Sequence, residues 1–462
     1  MISKVKEIEI MKLYEKTQID FKNILFDNRT LFWLLLPIVI EQFLNSFMGM
    51  VDTMMVSTVG SAAISAVSLV DSINNLVIQI FSAMASGATI ICSQYIGRGN
   101  RKESNRAAGQ VVLTVFVISF LITVFCIFGG ERLLRLVFGT VEDAVMKDAW
   151  VYFMITAMSY PFLALFSAGA ALYRASCNSK FPTKVSVVSN FINITGNALF
   201  IYGFQWGVAG AAFATLLSRI FCMAVIFYCL RKPQQTIVVR DYLKIRPDVS
   251  LILAIMAIGV PAGIENGMFQ FGKLAVQSTV STMGTIAMAA QAMTNILENV
   301  NGIFGNSVGI GLMTVVGQCI GADRKEEAKY YIVKLMGIAG IGTLVSCLLV
   351  LAITQPVTWL AGMETEAAQM CFELVAAMTV IKPVIWVGAF GLPYGLRAAG
   401  DVKFSMIASV SIMWGCRVAL GIFLVRVLGF GLVGVWIGMF ADWIVRAFIF
   451  TTRFVNGKWL HC

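Results

Sequence analysis

The chain is a succession of long apolar stretches. Twelve can be marked, at about 31–57, 66–95, 107–129, 147–173, 184–203, 208–230, 250–280, 286–317, 330–353, 365–395, 402–425 and 430–452. A helix of roughly 20 apolar residues crosses the hydrocarbon of a bilayer, so the longer stretches should tilt or project into water. The expected fold is therefore an all-α polytopic membrane protein with twelve transmembrane helices. Composition enters only as agreement: 58% of residues are hydrophobic, 13% are charged, and the mean hydropathy is +0.82. Trp33, Trp150, Trp206, Trp359 and Trp459 fall near the expected span ends, where an aromatic belt belongs.

A formal net charge of +10 suggests a polyanionic partner until the charges are placed. With twelve spans and a cytoplasmic N-terminus, most lysines and arginines fall in inner segments, among them Arg98, Arg101, Lys102 and Arg106, then Arg324, Lys325 and Lys329. Outer segments hold only Arg132, Arg135, Lys147 and Arg426. This is the positive-inside asymmetry. It predicts a multi-pass protein of the cell membrane with both termini cytoplasmic and no nucleic-acid partner. The residues before Thr30 mix charge with Ile and Leu, as a cytoplasmic tail or interfacial helix does, and lack the apolar run of a signal peptide. Ten cysteines form no C-x-x-C pair, so neither a disulfide framework nor a metal site is expected.

The two halves repeat each other. PIVIE at 37–41 recurs as PAGIE at 261–265, and SQYIGRGNRKES at 93–104 recurs as GQCIGADRKEE at 317–327. YRASCNSKFP at 173–182 recurs as LRAAGDVKFS at 396–405, and GVAGAA at 207–212 as GLVGVW at 431–436. One near-constant offset indicates duplication of a six-helix unit. Six is even, so the copies share an orientation and should be related by a pseudo-twofold along the membrane normal. The expected layout is a tail (1–30), an N-terminal six-helix lobe (31–230), a cytoplasmic linker (231–249), a C-terminal lobe (250–452) and a second tail (453–462).

Ionisable groups inside apolar spans mark function or pairing. In the first span Glu41, Asn45 and Asp52 share one helical face, with Gly49 thinning it, and Pro37 can bend the helix one turn before Glu41. Glu41 and Glu265 hold equivalent places in the two repeats. They are either cation attractors near the inner mouth of a cleft or helix-end acids paired with basic loop residues. Asn190, Asn193 and Asn197 form a stripe on the fifth span. Lys273 and Glu298 lie level on consecutive antiparallel spans, and Gln291, Asn295 and Glu298 share a face. A structural or gating Lys273–Glu298 ion pair is favoured over substrate contact. Arg417, Asp442 and Arg446 read as an internal charge network. Asp71 and Arg219 have no evident mate. The only histidine is His461, which excludes a histidine proton relay through the spans. Met48, Met50, Met54, Met55, Phe269 and Phe271 suit a promiscuous cleft for aromatic cations, although ordinary packing accounts for any one of them.

The motifs LPIVIEQFLNSFMGMVDTMMVSTVGSAA, QYIGRGNRKESNRAAGQ, RASCNSKFPTK and NFINITGNALFIYG followed by GVAGAA, with their C-terminal echoes, resemble the multidrug and toxic compound extrusion family from about Leu31 to Trp459. The resemblance implies a twelve-helix, two-lobe antiporter. Such a protein exports organic cations or amphiphilic drugs against H⁺ or Na⁺ by alternating access, working as a monomer without a cofactor. Asp52 matches the family's ion-coupling aspartate. In one branch the asparagine stripe ends in a second aspartate; here Asn197 stands at that place. An amide does not titrate, but it can hold Asp52, ligate Na⁺ through its carbonyl oxygen, or join helices. In another branch the seventh helix carries an acid where Phe269 stands, and the tenth an aspartate near Trp386, so a family-standard Na⁺ site in the second lobe is not expected. A flippase for a lipid-linked saccharide is the alternative, though Asp52 and Asp71 argue for cationic cargo. An intramembrane enzyme is disfavoured, because no nucleophile–base pair, H-E-x-x-H or Walker A motif is present.

Overall fold

The computed structural model describes residues 14–139, 142–240, 242 and 245–461. Residues 1–13 of the expected tail and 241, 243 and 244 of the expected linker lie outside the described residues. All regular structure among the described residues is helical. The helices are α1 (Asn28–Ser57), α2 (Ser61–Gly97), α3 (Arg101–Phe138), α4 (Asp143–Met158), α5 (Tyr160–Ala175), α6 (Lys180–Asn197) and α7 (Gly207–Leu230). They continue with α8 (Val249–Val280), α9 (Thr285–Gly321), α10 (Lys325–Leu360), α11 (Thr365–Trp386), α12 (Leu392–Ala398), α13 (Val402–Ile412), α14 (Gly421–Arg426) and α15 (Gly431–Val455). Among the described residues eleven helical runs are long and apolar enough to cross a membrane, and the bent pair α4–α5, taken as one span, supplies a twelfth. The all-α, twelve-span fold expected from the sequence is the fold adopted.

The breaks follow from local chemistry. The fourth span, expected as one helix, bends by 43° between α4 and α5. Pro161 lies at the start of α5 and has no N–H for the carbonyl of Ala157. Thr123 Oγ1 donates to that carbonyl instead, at 3.3 Å. The turn before α3 needs a left-handed residue, supplied by Gly99 (φ 71°), and Asn100 caps the helix by accepting from the Glu103 amide at 3.1 Å. At the matching turn of the second repeat Asp323 takes φ 58°, a conformation that Asp tolerates better than most side chains. Among the described residues three widened π-helical turns interrupt the spans, at Ala198–Gly203, Val387–Gly391 and Met413–Leu420.

Two compact units separate among the described residues. Phe32–Gln270 form one; the described parts of Met1–Leu31 and Phe271–Cys462 form the other. The divisions fall inside α1 and α8, each of which therefore contributes to both units. In the first unit α2 packs on α3, α4 and α5, and α7 on α4, α5 and α6. Phe81, Phe153, Tyr160, Leu172 and Ile226 lie in its core. The segment before α8 is pinned to α3: Gln110 Nε2 donates to the Arg246 carbonyl at 2.8 Å, and Arg106 meets Asp248 at 2.6 Å. The Asp248 carboxyl is held below its ordinary range, chiefly by the Ser250 hydroxyl, with the Leu251 amide and Arg106 adding to it. In the second unit α9 packs on α10 and α11, and α14 on α15. The segment before α1 is pinned to α10, where Tyr331 exchanges hydrogen bonds of 2.9 and 2.7 Å with the Phe26 amide and carbonyl.

The GVAGAA and GLVGVW echoes have one packing purpose. A Cβ on Gly210 would lie 2.9 Å from Phe200 Cβ, and one on Gly434 would lie 3.1 Å from Leu424 Cβ. In each repeat the glycine lets the last two spans approach closely. We predict that Gly210→Ala lowers stability by about 1–3 kcal/mol, the usual cost of overpacking. The check is the thermal midpoint of the detergent-solubilised protein; an unchanged midpoint contradicts the close-contact reading.

Candidate functional site

The first unit gathers its polar side chains from five spans. Asp52 on α1 is half-buried, and its Oδ1 accepts a hydrogen bond from Asn197 Nδ2 at 2.7 Å. The same Nδ2 reaches Asn193 Oδ1 at 3.3 Å, and Asn193 in turn donates to Thr215 Oγ1 on α7 at 3.2 Å. Asn197 is only 1% exposed, yet its carbonyl oxygen accepts no hydrogen bond among the described residues. A buried acceptor left unfilled costs about 1–3 kcal/mol. Here it stands on the residue that holds the Asp52 carboxylate. Asn197 is also the last residue of α6 before the π-helical turn at Ala198–Gly203, a distortion that recurs at functional sites.

A second set of groups adjoins the first. Asp71 on α2 accepts from Asn74 Nδ2 at 3.2 Å, and Asn74 is itself fixed by the Tyr160 hydroxyl at 2.7 Å. Arg219 on α7 donates to Ser159 Oγ at 2.5 Å, at the bend between α4 and α5. Arg219 lies within electrostatic range of both Asp71 and Asp52, with the Tyr152 and Tyr160 hydroxyls nearby. Asp71 and Arg219, which have no evident mate in the sequence, are thus drawn into one neighbourhood through the adjacent residues Ser159 and Tyr160, without an ion pair between them among the described residues.

The other nominated residues of this unit are dispersed. Glu41 is buried and pairs with Arg174, at the end of α5, at 3.3 Å. Glu41 is thus paired, but from well inside α1 and with an arginine in the last turn of a helix, not at a helix end with a loop residue. Asn45 is exposed. Asn190 is half-buried, and its Nδ2 makes no hydrogen bond among the described residues. Glu265 is half-buried on α8.

In the second unit Glu298 on α9 meets Lys382 on α11 at 2.9 Å. Lys382 is fully buried, with its Nζ 5.3 Å from the centre of the Trp386 ring and 6.0 Å from that of Trp443. Lys273 acts on the same carboxylate electrostatically, while the ion pair shown for Glu298 is with Lys382, which the sequence did not nominate. The Gln291 side-chain carbonyl accepts from Trp436 Nε1 at 2.8 Å, and Gln291 Nε2 reaches Asn295 at 3.5 Å. Asp442, wholly buried, takes Arg446 at 2.9 Å and Arg417 at 4.0 Å. Two of the three π-helical turns lie in this unit: one directly follows Trp386, and the other contains Arg417. Among the described residues no group of three or more His, Cys, Asp or Glu side chains has the arrangement of a metal site.

Comparison with known proteins places the chain in a family. The MatE family model matches the chain twice, over residues 37–199 and 261–423, in the register of the internal repeat. The chain belongs to the MatE family. It is a multi-pass membrane protein and a transporter, and it is not an enzyme. Among relatives, the uncharacterized transporter YisQ of Bacillus subtilis is 28% identical over 93% of this chain and 95% of its own. The NorM protein of Thermotoga maritima, named a probable multidrug resistance protein, is 25% identical over 92% of each chain. An outward-facing multidrug resistance MATE transporter of the MOP superfamily superposes with a TM-score of 0.86. It is 18% identical, and the match covers 93% of this chain and 96% of that one. At that identity the superposition speaks for the fold.

Sequence reasoning did not nominate Asn74, Tyr152, Ser159, Tyr160, Thr215 or Lys382. Lys382 carried a readable signal, a lone cation inside an apolar span beside Pro383. The hydroxyls and Asn74 carried none, since such residues are common in membrane helices. The bend at Pro161 was also readable, but nothing in the sequence says that it delivers Ser159 to Arg219.

Proposed function

We propose that this MatE transporter is a secondary antiporter that exports organic cations or amphiphilic drugs in exchange for H⁺ or Na⁺, with the ion taken at Asp52. The observation that carries the reading is the Asp52–Asn197 hydrogen bond beside the unfilled Asn197 carbonyl oxygen. A membrane carboxylate next to a spare oxygen can take either a proton or a sodium ion. Asn193 and Thr215 fix the Asn197 amide, which keeps that oxygen in place. Drug and ion then compete for one negatively charged lobe, and alternating access turns that competition into exchange. Glu298, Lys273 and Lys382, with the Arg417–Asp442–Arg446 group, act as structural or gating charges. The names of relatives such as NorM support drug-like cargo. The charge asymmetry of the loops supports cytoplasmic termini and residence in the cell membrane, and the repeats support lobes at 31–230 and 250–452 working within a monomer.

The test is efflux of ethidium, a fluorescent aromatic cation, from proteoliposomes under separately imposed H⁺ and Na⁺ gradients without ATP. Movement driven by one gradient is expected, and the effective gradient names the ion. No movement under either gradient contradicts the antiport reading and favours flipping of a lipid-linked saccharide.

A further inference from the structure

Asn197 stands where one branch of the resembled family has a second aspartate, yet another carboxylate, the half-buried Asp71, comes from a different helix. Asp71 comes from α2, bonded to Asn74, which is locked by Tyr160. Arg219 comes from α7, anchored on Ser159 at the α4–α5 bend. The charged groups acting on Asp52 are Asp71 and Arg219, and those acting on Arg219 are Asp71 and Asp52, with the neutral phenols of Tyr152 and Tyr160 completing the surroundings. Two carboxylates against one guanidinium leave one negative charge. Arginine stays protonated under all working conditions, so this excess is removed only by one added monovalent cation. The unfilled Asn197 oxygen, on a residue 1% exposed and bonded to Asp52, marks where a cation finds a further ligand.

We propose that Asp71 and Arg219 are the second half of the coupling site and set its capacity at one monovalent cation. This rests on the reading that Asp52 takes the coupling ion. With the ion bound, the triad is neutral and Arg219 is shared by Asp71. With the ion gone, Arg219 must also balance Asp52, so it acts as the internal counter-charge against which the ion competes. Asp71 holds that counter-charge back; without Asp71, Arg219 belongs wholly to Asp52 and outcompetes the ion. A proton would be taken from water on one side, forming a carboxyl O–H at Asp52, and returned to water on the other. A sodium ion would bind through Asp52 and Asn197 oxygens with no covalent change.

The experiment measures the ion concentration giving half-maximal ethidium efflux in proteoliposomes, for wild type, Asp71→Asn, Arg219→Gln and the double variant. Charge arithmetic gives the signs. Asp71→Asn makes the unloaded triad neutral and should raise the half-maximal concentration about tenfold or more. Arg219→Gln leaves two excess negative charges and should lower it by a similar factor, with slower turnover because the ion leaves reluctantly. Asp71→Asn/Arg219→Gln restores a single excess charge and should return the value to within about threefold of wild type. Opposite shifts that cancel in the double variant are not produced by structural damage. Shifts of one sign in both single variants, an unshifted Asp71→Asn, or a double variant worse than either overturn the proposal. Arg219→Lys and Asp71→Glu keep the charge and should stay near wild type. If the neutral variants do not fold, a displaced value in these charge-keeping variants overturns the proposal, and an unchanged value upholds the charge rule. Gradient-driven efflux surviving in Asp52→Asn removes the underlying reading instead, so the two failures are distinguishable.

Discussion

Asp52→Asn is expected to abolish gradient-driven efflux while leaving a folded protein that still binds ethidium. The substitution removes the negative charge and keeps the side chain's shape. The Asn197 amide, which donates to Asp52 Oδ1 at 2.7 Å, finds an amide oxygen in the same place. The fold therefore loses little. The ion loses its main partner. Two unit charges 4 Å apart attract by about 4 kcal/mol at an effective dielectric constant near 20, which corresponds to roughly a thousandfold in ion affinity. With a loss of that size, an imposed gradient has nothing to act on. Retained passive ethidium exchange together with lost gradient dependence would identify Asp52 as a coupling residue. Loss of binding and folding together would assign it a structural role.

Lys382→Met should be the most destabilising single change in the second unit. Lys382 is fully buried, and its Nζ is the 2.9 Å partner of Glu298. Methionine replaces its length but strands the carboxylate. Removing one member of a buried pair typically costs about 3–5 kcal/mol, because the remaining charge is uncompensated. Lys273 and Arg417 also act on Glu298, so a value near the lower end is expected. Neutralising both partners, in Lys382→Met/Glu298→Gln, removes the stranded charge and should recover most of the stability. The measurement is the temperature at which half of the monodisperse protein is lost in detergent, for both single variants and the double. A fully stable Lys382→Met, or a double variant no better than the single, contradicts the pairing.

These outcomes separate what could be read in the chain from what could not. The spans, their number and the duplication were legible because lipid permits few solutions, and because PIVIE/PAGIE and its companion echoes repeat at one offset. Asp52 and the Asn193–Asn197 stripe were legible for a related reason: a polar group in an apolar helix stands out. Partnerships were less legible. Asp71 and Arg219 lie on α2 and α7, far apart in the chain, and they are brought near through Ser159 and Tyr160 at the bend beside Pro161. Glu298 was matched by level with Lys273 across one turn, and nothing in the sequence brings Lys382 to it from α11. Helix ends fix depth in the membrane, but the rotation of each helix decides which side chains meet, and weak amphipathicity in spans leaves that rotation unreadable. The π-helical turns beside Asn197 and Trp386 had no sequence signal at all.

The central claim, that the Asp52 site carries the coupling ion, is tested most directly without transport. Purified protein in lightly buffered detergent solution is titrated with ethidium while released protons and sodium ions are counted. The account predicts release of one monovalent cation per ethidium bound in wild type and none in Asp52→Asn. Equal release from both proteins would contradict it and place the ion elsewhere in the chain.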